Sequence, residues 1–314
     1  MDYELEKLCD LLIDNVDILH EVFRFDGYMN YASAVILTNE DVLGDPDQLK
    51  ELRKDFRKRS SMWSNLRGFM ESVMVVKMYM RDDPIAFYHT IKEMNTQINN
   101  NKIFMSNYAP LAAMIIEERV QPEQYQYYVD KTKAIYQKMK EEHSFLTSDN
   151  DIIFAALLAV SDINTDNLLL EMEENYPLLK GKIKGAPNLE LSHTLALDLG
   201  APGIKTARFL ELYQYLKQRK LKFAAGKGLN ALALLSLLDE DEEYLYELLN
   251  QVNEYLKAHK RFRGIHMFQS DRLPLAAMLV IKYLKPDDIV VKDIMTFVCL
   301  QQAIAAAAAA AAAA

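Results

Sequence analysis

Six apolar runs return along this chain about every 41 residues, and a period of that size is the signature of stacked helical hairpins. The runs are FMESVMVV, APLAAMIIE, DIIFAALLAV, LSHTLALDL, LNALALLSLL and LPLAAMLVI. One small residue in each, Ser72, Ala113, Ala156, Ala196, Ala233 and Ala277, sets spacings of 41, 43, 40, 37 and 44. In five units an aromatic (Trp63, Phe104, Phe145, Phe223 or Phe268) opens a short polar turn before the run; the fourth has IKGAPN there. Between the runs lie segments whose apolar residues step by three and four, as in Leu245, Leu248, Leu249, Val252, Tyr255 and Leu256. A helix apolar on nearly every side must be covered on every side, whereas a one-striped helix keeps a face to water. The runs therefore predict inner helices and the striped segments predict outer ones.

An all-α fold of about six such hairpins follows, as one array over residues 60–304. Pro and Gly are scarce and the Val-Ile-Thr alternation of strands is absent, which argues against a sheet. Residues 1–59 differ. An amphipathic segment with Leu5, Leu8, Leu12 and Leu19, the run NYASAVIL and a charged helix from Asp45-Pro46 read as an N-terminal helical cap over the first hairpin. Residues 305–314, with Ala303, are a near-pure alanine tract, read as an artefactual or unassigned tail without function. Hairpins of this kind build either an open superhelix (α-solenoid) or a closed toroid around a cavity; the loose spacing favours the open array.

The two cysteines, Cys9 and Cys299, are far apart and offer neither a disulfide framework nor metal-ligand spacing. The N-terminus MDYELEKLCD is acidic where a secretory leader is basic, and the apolar runs of the body are too short to span a bilayer. The expectation is a cytoplasmic protein with no membrane partner.

Charge is unevenly placed. The net charge of −9 argues against nucleic-acid binding, which needs many phosphate contacts. Basic residues gather where an outer segment ends and the next inner run begins: Lys180, Lys182 and Lys184; Lys217 to Lys222 with Lys227; Lys257 to Arg263 with Arg272. Acids gather at the opposite turns, as in Asp239 to Glu243. Helix dipoles explain part of this segregation. The basic edge also holds the unbonded N–H groups that start each inner helix, which are ready anion sites. Candidate binding residues on that edge are Asn107, Asp149, Asp151, His193, Lys220, Lys222, Lys227, Arg261, Asp271 and Arg272. His193, inside an apolar run, could meet Asp149 or Asp151 and Lys227 if the array curves, and such a group could do acid–base work or bind an anion.

No HExxH, CxxC pair, P-loop, GxSxG or GxGxxG motif is present, so no catalytic residue, metal or cofactor is assigned. The stretch RKDFRKR, Arg53 to Arg59, reads as a solvated helix face. The segments RFDGYMNYASAVILTNEDV, WSNLRGF, FMSNYAPLAAM, FLTSDNDIIFAALLA and FQSDRLPLAAMLV resemble a family of uncharacterised all-helical proteins from Gram-positive bacteria, a domain of unknown function. The resemblance covers nearly the whole chain, implies a bacterial cytoplasmic protein, and brings no catalytic residues with it. The expected function is an interaction scaffold for a protein or peptide, or for a small anion. The alternative is an enzyme or small-ligand binder acting on an anionic substrate at the same edge.

Overall fold

The computed structural model describes residues 1–286, apart from 25–26, 100–105, 143–146, 148, 162–164, 187, 197–200, 225, 227 and 265. Lys227, Phe104, Phe145, Cys299 and the alanine tract therefore lie outside the described residues. The described chain is all-α, with no strand. Its helices are α1 (Tyr3–Val22), α2 (Tyr28–Asn39), α3 (Pro46–Arg59), α4 (Glu71–Tyr79), α5 (Pro84–Ile98), α6 (Ala109–Arg119) and α7 (Tyr125–Glu142). They continue as α8 (Asp151–Val160), α9 (Thr165–Leu179), α10 (Asn188–Ala196), α11 (Pro202–Gln218), α12 (Gly228–Ser236), α13 (Glu242–Ala258) and α14 (Gln269–Leu284).

The helices alternate between two kinds. Even-numbered helices are buried along most of their length: every described residue of α12 is buried, as are Glu71 to Met78 in α4 and Asp151 to Ala159 in α8. Odd-numbered helices bury one stripe, such as Leu5, Cys9, Leu12, Val16 and Leu19 in α1. The repeated small residues sit where inner helices lie side by side. Ala112, Ala113, Ala155, Ala156, Ala233, Ala276 and Ala277 are all fully buried, and their short side chains let neighbouring helices approach closely. At Gly228 the approach is tighter still, since a Cβ there would stand 3.3 Å from Pro274 Cγ.

Four outer helices start on side-chain caps, while α11 starts without one. Asp2, Asp45, Asp83 and Asp241 accept from the first free backbone N–H groups of α1, α3, α5 and α13, and Pro46 and Pro84 follow two of these caps. The inner helices α2, α4, α6, α8 and α14 start without a side-chain cap. Their first N–H groups are left for other partners.

The chain divides into two compact units. In residues 45–169, α3 pairs with α4, α5 with α6 and α7 with α8, and α6 lies against α8. Asn65, Asn95, Asn99 and Ser106 tie the turns of this unit together. Asn65 donates to Asn95 Oδ1 (3.0 Å) and to the Ser106 carbonyl (2.9 Å), and Ser106 N–H donates to Asn99 Oδ1 (2.7 Å).

The other unit joins residues 1–44 to residues 170–314. Here α10, α12 and α14 pack in sequence, and α11 and α13 cover them. The pair α1–α2 then packs on α13 and α14. Of the segment expected as a cap, residues 1–44 thus lie against the last described hairpin, while α3 is the outer partner of α4 in the other unit. The helix α2 is itself of the inner kind, buried from Met29 to Asn39, and its Ala32 stands 40 residues before Ser72. It is a further buried helix at the repeat spacing.

Candidate functional site

In residues 170–286, the turns that follow the outer helices α9, α11 and α13 form the edge that the sequence predicts as basic. Among the cations of this edge, Lys180, Lys182, Lys184, Lys220, Lys222, Lys260 and Arg263 are exposed. None of these has an ion pair among the described residues. Neighbouring cations stack on rings instead, with the Arg219 guanidinium 3.6 Å from the Tyr215 ring centre and Lys217 5.6 Å from that of Tyr213. Lys220 holds a left-handed backbone, φ +67°, and closes α11 with the Leu221 N–H to Leu216 carbonyl bond at 3.0 Å.

The opposite edge is built differently. Its cations are drawn inward and paired: Lys205 reaches Glu171 at 2.6 Å, and Lys282 reaches Asp41 at 2.8 Å and the Asn39 carbonyl at 2.9 Å. Arg208 donates to carbonyls of the turn after α12, at Leu238 and at Glu240 (2.6 Å), and stands 3.5 Å from Asp239. A shallow, open cleft of about 670 Å³ lies here, lined by Ile204, Arg208, Glu211 and Asp239 to Glu242. Among the described residues no group of His, Cys, Asp or Glu is placed to hold a metal ion.

At the basic edge, the start of α2 meets the turn before α14 in a cluster of rings and charges. Arg261 pairs with Asp17, and His259 Nε2 stands 3.2 Å from the second oxygen of the same carboxylate. The Tyr31 hydroxyl donates to the Arg261 carbonyl (2.8 Å), and the Tyr28 hydroxyl donates to Asp271 (3.3 Å). Tyr31 packs edge-on between His20 and Phe262. Burial pushes both tyrosines up to about 12, so they remain hydroxyl donors. Burial, with Arg261 nearby, lowers His20 to about 4 and keeps it neutral. Asn30 is fully buried and donates to the Phe23 carbonyl (2.9 Å), with its Nδ2 3.3 Å from His20 Nδ1. Three buried atoms of the cluster, His20 Nε2, Asn30 Oδ1 and His259 Nδ1, have no hydrogen-bond partner among the described residues.

The residues expected as a binding edge are therefore distributed. Arg261, Asp271 and Arg272 come together in one neighbourhood. Arg272 is buried, donating to Asn253 Oδ1 (3.0 Å) and the Phe262 carbonyl (2.6 Å), and burial lowers its pKa. Arg261 and Asp271 are occupied by Asp17 and Tyr28. Lys220 and Lys222 are exposed and open, while His193 is buried within α10. Asn107 and Asp149 are exposed turn residues of the other unit, and Asp151 is buried at the start of α8. His20, Tyr28, Asn30, Tyr31 and His259 were not anticipated. The signal for them was the 40-residue step from Ala32 to Ser72, which puts α2 at the repeat spacing and Tyr28 at its start.

No helix of the described residues is long and apolar enough to cross a membrane. No curated protein and no solved structure matches the chain. Residues 15–309 match the model of a family described as protein of unknown function (DUF4003), and the chain belongs to that family.

Proposed function

We propose that this chain is a helical-repeat interaction scaffold, and that the basic edge of residues 170–286 is its contact surface for an acidic protein or peptide. One observation carries the proposal. Lys180, Lys182, Lys184, Lys220, Lys222, Lys260 and Arg263 of this edge are exposed without an ion pair among the described residues, whereas Lys205 and Lys282 by the opposite turns are buried and paired. Dipole complementarity alone would not leave one set open and the other closed. An acidic partner neutralises the open set, and its capture is steered by charge and weakened by salt. The net charge of −9 turns polyanions such as nucleic acid away from the rest of the surface. Solenoid-type stacking and a cytoplasmic setting belong to the same proposal. The test is paired affinity capture with the wild type and Lys220→Glu/Lys222→Glu, at low and high salt. An acidic protein held by the wild type at low salt, and lost on either change, is the expected result; capture indifferent to both contradicts it.

A second reading, a small anion-binding or enzymatic site, is favoured by the three unpartnered buried atoms around His20. Phosphate titration followed by imidazole NMR separates the two. Saturable shifts of His20 and His259 support a ligand site, and unmoved resonances leave the cluster as the joint between α2 and α14.

A further inference from the structure

The turn between α3 and α4 carries an exposed apolar tip on a basic collar. Met62 is 71% and Trp63 89% exposed, and Trp63 is the single tryptophan of the chain. This exposure is built in, because the base of the turn is fastened from several sides. Ser60 and Leu66 are buried, the Ser60 hydroxyl donates to the Phe56 carbonyl (2.8 Å), and the Tyr88 hydroxyl donates to that of Arg59 (2.9 Å). Arg67 donates to the Ser60 hydroxyl oxygen (2.9 Å) and the Arg57 carbonyl. Two successive backbone turns, Ser64 N–H to Ser61 carbonyl and Arg67 N–H to Ser64 carbonyl, each 3.0 Å, hold the tip itself. An indole ordinarily covers most of its surface. Here an anchored turn projects it, with a methionine beside it.

The surroundings are basic within an acidic chain. Residues 53–71 hold six basic residues, Arg53, Lys54, Arg57, Lys58, Arg59 and Arg67, against Asp55 and Glu71. The Glu71 carboxylate is buried and taken by Arg53 and Arg57, at 2.6 and 2.7 Å. Lys58 is exposed with no ion pair among the described residues, and Arg59 shares an exposed pair with Asp55. An aromatic and a flexible apolar side chain flanked by cations is the chemistry of a protein that rests on an anionic bilayer. The ring sits at the headgroup boundary and each cation gains from the negative surface.

We propose that Met62 and Trp63 insert into the surface of an anionic membrane while Lys58 and Arg59 engage lipid phosphates. The sequence-based expectation of no membrane partner rested on the lack of a spanning segment, which surface docking does not require. This site is independent of the basic edge of residues 170–286.

The lone tryptophan makes the test direct. Full-length protein is mixed with vesicles of phosphatidylcholine alone or with phosphatidylglycerol, and Trp63 emission and cosedimentation are measured. A blue shift and cosedimentation with the anionic vesicles, reversed by high salt and absent with phosphatidylcholine alone, are expected. Trp63→Ala and Lys58→Glu/Arg59→Glu lose cosedimentation while keeping wild-type circular dichroism and thermal midpoint, and Lys220→Glu/Lys222→Glu keeps it. Unchanged emission with the protein left in the supernatant overturns the proposal. So does a shift produced equally by a soluble oligonucleotide without vesicle binding, or vesicle binding lost only with Lys220 and Lys222.

Discussion

Lys77 and Glu118 stand 41 residues apart in sequence and 2.6 Å apart in space, so the repeat period of the chain closes in an ion pair between successive inner helices. The Asn65 amide reaches the Ser106 carbonyl over the same 41-residue step at the other end of the hairpins.

The Lys77–Glu118 pair is nearly enclosed, with side chains 8% and 19% exposed, and Arg81 adds a second cation at 2.9 Å from Glu118. Burial alone would raise the Glu118 pKa, but the two cations outweigh it and hold it below 4.5. Glu118→Leu strands Lys77 and is expected to cost about 3–5 kcal/mol, read by urea unfolding. Adding Lys77→Met should recover most of that loss, since Arg81 keeps Glu117 at 2.8 Å. The wild-type pair contributes fully above pH 4.5 and loses its contribution as pH falls through the depressed pKa of Glu118.

His20 gives stability a second pH dependence. Its folded value, about 4, lies below its ordinary 6.5, so the unfolded chain binds more protons between those limits. Stability falls as pH drops from 6.5 toward 4. His20→Asn should flatten that part of the thermal-midpoint profile. An imidazole titration of the wild type near 6.5 would contradict the buried, neutral assignment.

Lys220 combines a backbone role with a surface one. Its φ of +67° suits glycine, and Lys220→Gly should stabilise the protein by about 1 kcal/mol in urea unfolding. Because the same change removes an open cation, it should weaken acidic-peptide binding while raising stability.

Arg272 should show the reverse. Its guanidinium holds Asn253 and the Phe262 carbonyl inside the fold. Arg272→Met leaves those acceptors unmet and is expected to cost about 2–3 kcal/mol of stability, with peptide affinity unchanged at temperatures where the variant stays folded.

The division into inner and outer helices was legible because burial on all sides demands apolar residues on all sides, and Ala113, Ala156 and Ala277 all fall where inner helices touch. The cap at Asp45-Pro46 was legible for a local reason, since a cap is satisfied within three residues. Contacts between distant parts of the chain were not. Tyr28 meets Asp271 and Lys282 meets Asn39 across 243 residues, and nothing local in NYASAVIL says that its partner is the end of the array. The charge pattern was half legible. Clusters of acids could be seen, but Lys77, Lys205 and Lys282 lie within or beside apolar stretches, and only packing shows that each turns to an acid of its own unit. Arg261 and Arg272 share the composition of the basic edge yet are occupied by the fold, while Lys220 and Lys222 are not.

The most direct measurement is fluorescence anisotropy of a labelled oligoglutamate peptide titrated with the full-length protein at several salt concentrations. The comparison is between the wild type, Lys220→Glu/Lys222→Glu, and Lys50→Glu as an exposed-lysine control in the other unit. Salt-sensitive binding by the wild type and the control, lost in the double variant, is the predicted result. Equal affinity in all three proteins would contradict the assignment of the basic edge as the contact surface.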